Sequence, residues 1–205
     1  MVTMKTIQWG MIGCGSVTEV KSGPAFNKAP HSKLIAVMRR DAEKVKQYAE
    51  RHQVQNFFTD ASELIHHPEV DAVYIATPPK FHEAYAIEAM QAGKPVYVEK
   101  PMGLDVAACE RMEAYSKQTG VPLVIAHYRR ALPLFLEVKR LVESKTIGEI
   151  SSVRIEMLKY DSGLLDPVEN WRIDPSVAGG GYFYDLAPHQ LDLSLIHISE
   201  PTRPY

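Results

Sequence analysis

The chain has 205 residues, 45% hydrophobic and 23% charged, the range of a globular protein with room for one or two domains and a sizeable core. Its formal net charge is −2 with no block of like charges, so it lacks the electrostatic footprint that a nucleic-acid or anionic-membrane partner demands. The two cysteines, Cys14 and Cys109, lie far apart without metal-ligand spacing, which points to a reducing compartment and to buried packing roles for both.

From the N-terminus, strand-like and helix-like patterns alternate. Thr6–Ile12 reads as a strand and Ser16–Lys28 as a helix interrupted by Gly23-Pro24. Leu34–Met38 is a second strand and Ala42–His52 a helix with a polar face. Phe57-Phe58 is a short third strand, followed by a short helix over Asp60–His66, and His66-His67 marks a helix end rather than a metal site. Ala72–Ala76 is a strand stopped by Thr77-Pro78-Pro79, and Phe81–Ala92 a helix closed by Gly93. Pro95–Val98, the helix Val106–Thr119 and Pro122–Ala126 complete the series. Strands alternating with crossover helices predict an α/β fold, a doubly wound parallel sheet of the Rossmann type over residues 1–127. The chain has no signal-peptide shape and no apolar run near the roughly 20 residues of a membrane span, so a cytoplasmic location is expected.

A different unit is expected over residues 128–192. Leu134–Ser144 reads as a helix and Ile150–Tyr160 as a half-buried strand, with Val153, Ile155 and Met157 alternating. Beyond Tyr160 the chain is rich in loop signals: Asp161-Ser-Gly163, Asp166-Pro167, Asp174-Pro175 and glycines at 179 to 181. One strand is too little for a second α/β domain, so this unit is expected to be the incomplete start of one. Residues 193–203, Leu-Ser-Leu-Ile-His-Ile-Ser-Glu-Pro-Thr-Arg, match codon by codon the translation of a common transposase-end sequencing adapter. Residues 193–205 are therefore expected to be a non-native tail, the native sequence continuing beyond Asp192, and His197 and Glu200 are not proposed as ligands or bases.

Three stretches carry chemistry. Gly10-Met-Ile-Gly13-Cys-Gly15-Ser16-Val17-Thr18 joins the first strand to the first helix. Gly13 permits the tight turn, and Gly15 lets backbone N–H groups approach a pyrophosphate at the helix N-terminus. Thr18 stands where the fingerprint prefers Gly or Ala, so looser helix packing is expected there. The second strand runs into Arg39-Arg40-Asp41. Two guanidiniums suit the 2′-phosphate of NADP, whereas Asp41 comes late for a ribose and suits a helix cap. NADP is expected ahead of NAD. Third, Glu99-Lys100-Pro101 ends a buried strand at the edge where open α/β sheets bind ligands.

These residues bring the chain to a family. Glu99-Lys-Pro101, Ala76-Thr-Pro-Pro-Lys-Phe-His82, Asn170-Trp-Arg172 and Gly179-Gly-Gly-Tyr-Phe-Tyr-Asp185-Leu-Ala-Pro-His189 resemble, in order, motifs of the glucose–fructose oxidoreductase/inositol dehydrogenase/MocA family. The resemblance implies a Rossmann domain followed by a mixed α/β domain, a sugar-like small-molecule substrate between the two, and homo-oligomers of the full-length form through the C-terminal sheet. It implies a catalytic role for Lys100, a substrate-orienting role for Asp185 and a general acid/base role for His189. It places Thr77, Pro78, His82 and Glu99 along the cofactor, and Trp171 and Arg172 near the nicotinamide in some NADP-dependent members. Independently, Asp185 and His189 are four apart and share a helix face. An imidazole can take an alcohol proton as hydride leaves, and a lysine ammonium can stabilise alkoxide character. Two other readings compete with a sugar oxidoreductase: a non-catalytic dinucleotide sensor, which has no need of the Lys100, Asp185 and His189 trio, and a glycosidase using NAD transiently, which consumes no net cofactor.

Overall fold

The computed structural model describes residues 4–156 and 170–194. The chain divides at Ala126/His127 into two compact units. The first contains six strands, β1 (Ile7–Ile12), β2 (Ser32–Met38), β3 (Asn56–Phe58), β4 (Ala72–Ile75), β5 (Val96–Val98) and β6 (Leu123–Ile125). They form one sheet in the order β3-β2-β1-β4-β5-β6, every neighbouring pair parallel. The crossovers carry α1 (Ser16–Val20), α2 (Ser22–Lys28), α3 (Ala42–His52), α4 (Ala61–Ile65), α5 (His82–Gln91) and α6 (Val106–Thr119). The chain winds outward from β1 in both directions, so the strand order reverses between β1 and β4, the switch point where such sheets bind ligands.

A parallel sheet covered on both faces needs strands that are apolar throughout, and all four residues of Ala72-Val-Tyr-Ile75 are buried. Successive side chains supply opposite cores. Ile12, Met38, Val73 and Ile75 join Leu64, Met90 and Met112 on one face, whereas Met11, Val37 and Tyr74 join Val45 and Tyr48 on the other. Leu64→Ala, at a fully buried position of the first core, should cost about 2–5 kcal/mol in a urea titration. Helix starts are set locally. The carboxylates of Asp41, Asp60 and Asp105 accept from the backbone N–H of Lys44, Ser62 and Ala108 at 3.0, 2.8 and 2.8 Å.

The doubly wound sheet expected from the alternation is the one observed. The first helix differs: it breaks at Lys21 rather than at Gly23-Pro24. A continuous helix would press the Pro24 ring onto the carbonyl of Val20, whereas a break at Lys21 puts Pro24 in the first turn of α2, where its missing N–H costs nothing. Cys109 also departs from expectation, being half-buried where Cys14 is buried.

The second unit holds a 3₁₀ turn at Tyr128–Ala131, α7 (Pro133–Glu143), a 3₁₀ turn at Trp171–Ile173, α8 (Pro175–Ala178) and α9 (Gly181–Leu193). The strand expected over 150–160 is not formed in its described part, 150–156, where Val153 and Ile155 are half exposed. Alternation marks a face that could be buried, but a strand exists only in a ladder, and the described residues provide no partner. Residues 157–160 of that segment, the loop residues 161–169 and the tail from 195 lie outside the described residues. Among the described residues no helix is long and apolar enough to cross a membrane.

Candidate functional site

Because all six strands run the same way, their C-terminal ends share one edge, and the ladder continues one residue beyond most of them. Gly13 N–H donates to the Met38 carbonyl at 2.9 Å, Ala76 N–H to Ile12 at 2.8 Å, Arg39 N–H to Phe58 at 3.1 Å and Glu99 N–H to Ile75 at 2.9 Å. The residues read as functional therefore start where the sheet stops. Gly13–Val17 follow β1, Arg39-Arg40 follow β2, Thr77-Pro78 follow β4 and Glu99-Lys100 follow β5.

The two glycines of the first turn serve different purposes. Gly13 has φ +100°, and a Cβ there would lie 2.8 Å from the Ala76 carbonyl carbon, so the protein's own backbone excludes a side chain. Gly15 is extended, at φ −106° and ψ −171°, and caps α1; a Cβ built on it meets no described atom within 4 Å. The bare backbone at Gly15 leaves open space in front of the α1 N-terminus, where Ser16 and Val17 are exposed. Thr18 is buried rather than loosely packed, and its hydroxyl donates back to the Gly15 carbonyl at 2.8 Å. Cys14 lies beneath the turn, where burial pushes its thiol up to about 12.

The arginine pair frames this space. Arg39 Nη1 donates to the Cys14 carbonyl at 2.6 Å, so this guanidinium holds the turn. The guanidinium of Arg40 lies over the Phe81 ring, 4.9 Å from its centroid. Asp41 is occupied as the cap of α3, as its position one residue late suggested.

Opposite the turn, the Thr77 hydroxyl oxygen is buried with no hydrogen-bond partner among the described residues, and Pro78 is half-buried beside it. A buried hydroxyl without a partner and the side-chain-free space at Gly15 both suit a dinucleotide. Glu99 turns inward: one oxygen accepts from the Tyr74 hydroxyl at 2.6 Å and the other from the Lys100 backbone N–H at 3.3 Å. Lys100 is half-buried. His82 is only 1% exposed, so its ring sits behind this edge rather than along it. Its Nε2 lies 2.7 Å from the Thr77 carbonyl, and its Nδ1 lies 3.0 and 3.3 Å from the carbonyls of Pro101 and Met102. The ring thus joins the loop after β4 to the loop after β5.

Burial, aided by the nearby Lys100 ammonium and opposed by the three carbonyls, holds the His82 imidazole below its usual range. The unfolded chain takes up the proton at the ordinary value of 6.5, and the folded chain only at lower pH. This group's contribution to stability is therefore present above pH 6.5 and is lost as the pH falls from there through the folded value. Melting temperatures measured across that range should fall more steeply for the wild type than for His82→Gln; parallel curves would refute the assignment.

In the second unit Asp185 and His189 lie on α9, on the same face despite Pro188 between them. Arg172 Nε donates to Asp185 at 3.1 Å, and its guanidinium covers the Trp171 ring at 4.7 Å. His189 is 5% exposed, and the Tyr128 ring meets it edge-on with centroids 5.4 Å apart. Sequence reasoning passed over the clamp on the other end of the helix, where Asp192 accepts two bonds from the Arg130 guanidinium. The partners are 62 positions apart, beyond the reach of any local pattern. It also passed over Glu19, Tyr48, Arg51 and His52, whose bonds join α1 to α3.

A parallel sheet with β1 at its switch point, a glycine turn leading into a helix and an arginine pair after β2 define a dinucleotide-binding Rossmann unit. Residues 7–127 match the model described as oxidoreductase family, NAD-binding Rossmann fold, and residues 135–205 match the C-terminal domain of the same glucose–fructose oxidoreductase/inositol dehydrogenase/MocA group. The chain belongs to this family. It is 47% identical to an oxidoreductase of Formosa agariphila over 196 residues, 95% of this chain and 61% of the relative. It is 27% identical to the 1,5-anhydro-D-fructose reductase of Ensifer adhaerens over 185 residues, 90% of this chain and 54% of that protein. Among solved structures, the scyllo-inositol dehydrogenase of Lactobacillus casei with bound NAD(H) and scyllo-inositol superposes with a TM-score of 0.80 at 28% identity, over 93% of this chain and 56% of that one. The chain thus spans little more than half the length of these relatives.

Proposed function

We propose that the protein is an oxidoreductase that transfers hydride between a nicotinamide dinucleotide, NADP ahead of NAD, and a hydroxyl or carbonyl carbon of a sugar, cyclitol or related compound. The observation that carries this reading is the placement of the Gly13–Gly15 turn, the Arg39-Arg40 pair and Lys100 at one sheet edge. The inositol dehydrogenase and anhydrofructose reductase among its relatives support the substrate class.

The dinucleotide supplies the hydride chemistry; the protein supplies position and proton. The turn and the α1 N-terminus would hold the pyrophosphate, and Thr77 and Pro78 would line the nicotinamide half. Arg40, lying over Phe81, and Arg39, which braces the turn, would hold the 2′-phosphate. Lys100 stabilises negative charge on the reacting oxygen. His189 carries the alcohol proton, and Asp185, held by Arg172, orients the substrate. Trp171 lies against the Arg172 guanidinium. Glu99, tied to Tyr74, fixes the backbone from which Lys100 projects.

Fluorescence titration with NADPH and NADH tests the cofactor reading. NADPH should bind more tightly. Arg40→Ser should weaken NADPH by roughly tenfold or more, the size of one charge-assisted contact, and leave NADH nearly unchanged. Arg39→Ser, which also releases the Cys14 carbonyl, should weaken both. Tighter NADH would overturn the NADP preference, and binding of neither would overturn the reading as a whole.

A further inference from the structure

The phosphate-binding helix is short. Five residues cannot hold a direction by themselves, since isolated helices need about 12–15 residues to be even marginally stable, so whatever anchors α1 decides where the turn in front of it points. Three side chains of α3, at positions i, i+3 and i+4, do this. The Tyr48 hydroxyl donates to the Thr18 carbonyl at 2.9 Å, at the place where the break at Lys21 ends the helix. Arg51 donates to one oxygen of Glu19, and the other lies 2.7 Å from Nε2 of His52. The Tyr48 and His52 rings lie together with centroids 4.2 Å apart. Gly23 comes so close from α2 that a Cβ there would overlap both the Thr18 carbonyl and the Tyr48 hydroxyl. Burial pushes the Tyr48 phenol up to about 12, which keeps it a donor near neutrality; burial also raises the Glu19 carboxyl, but the bonds from Arg51 and His52 outweigh it and hold the group below its usual range.

We propose that Tyr48, Arg51 and His52 are positioning residues for the dinucleotide: through Thr18 and Glu19 they fix the attitude of α1 and so aim the Gly13–Gly15 turn at the pyrophosphate, without touching the ligand. The proposal rests on the reading that this turn receives the pyrophosphate. It requires that affinity respond to bonds on the far side of the helix, and that NADPH and NADH respond alike, because the pyrophosphate is common to both. Arg39 braces the other end of the same turn but also faces the adenosine side, so its loss does not give this signature.

The test is titration of the full chain with NADPH and with NADH. Tyr48→Phe and Glu19→Gln should each weaken both dinucleotides about fivefold, the size of one net hydrogen bond, with the NADPH to NADH ratio unchanged. Combined with Arg51→Gln, Glu19→Gln should cost little more than it does alone. The control is Glu83→Gln, which breaks a comparable carboxylate–arginine pair, Glu83 to Arg111, between α5 and α6. It should lower the melting temperature about as much as Glu19→Gln and leave both affinities where they were. If Tyr48→Phe fails to fold, Glu19→Gln carries the test, since that side chain is 32% exposed. Wild-type binding with unchanged affinity in the variants overturns the proposal alone, and so does an equal loss in Glu83→Gln. A wild type that binds neither dinucleotide overturns the reading beneath it as well.

Discussion

Gly13→Val and Gly15→Val should part company in one experiment. Gly13→Val should lose dinucleotide binding altogether and lower the melting temperature as well. Valine resists a φ of +100°, and its Cβ meets the Ala76 backbone at 2.8 Å, where nothing flexible can yield. Strain of about 1–3 kcal/mol is expected from the dihedral alone. Gly15→Val faces neither obstacle, because its backbone is extended and the space is open. It should keep the wild-type melting temperature within a degree or two, roughly the span expected of a surface change, yet weaken NADPH by about a hundredfold or more, since its side chain occupies the room the pyrophosphate needs. Thermal melts and fluorescence titrations of the two variants give the comparison. Normal NADPH affinity in Gly15→Val would remove the turn from the site.

The second large effect concerns turnover. In a form of the protein with measurable NADPH-dependent reduction of a sugar-like carbonyl, Lys100→Met should leave NADPH affinity nearly unchanged and lower kcat by several orders of magnitude. His189→Ala should lower it by about 10²–10⁴, the usual share of a positioned acid or base. Wild-type turnover in either variant would refute the assigned role.

The sheet was legible because a buried parallel strand and an amphipathic crossover helix write different periods into the sequence. The start of α3 and the end of α6 could be placed because Asp41 and Gly120 are local signals, acting on residues three or four positions away. The break at Lys21 was misplaced because proline's clash falls four residues upstream of the proline itself. The segment 150–156 was misread for a different reason: alternation reports what a strand could bury, not whether a neighbour exists to pair with it. In the candidate site, the residues just past the strand ends were readable from motif and position. The contacts that aim them were not. Tyr48 reaches Thr18 across 30 positions, Glu19 reaches His52 across 33, and Glu99 reaches Tyr74 across 25, and no local pattern announces such pairs. His82 shows the same limit. Its motif suggested a place along the cofactor, and only the fold places the ring behind that edge, against three carbonyls.

The strand order also sets a timetable for synthesis. Of the six described strands β1 leaves the ribosome first, but it lies in the interior of the sheet, between β2 and β4. Its β2 side can be covered once residue 38 has emerged, while the other side stays bare until Ala72–Ile75 arrive. At about 5–20 residues per second, that leaves Gly10–Ile12 with one unpaired edge for seconds. Through that interval the unpaired edge is open to a chaperone or another nascent chain. Slowing translation before Ala72–Ile75 have left the exit tunnel lengthens that interval, and slowing it after they have left does not.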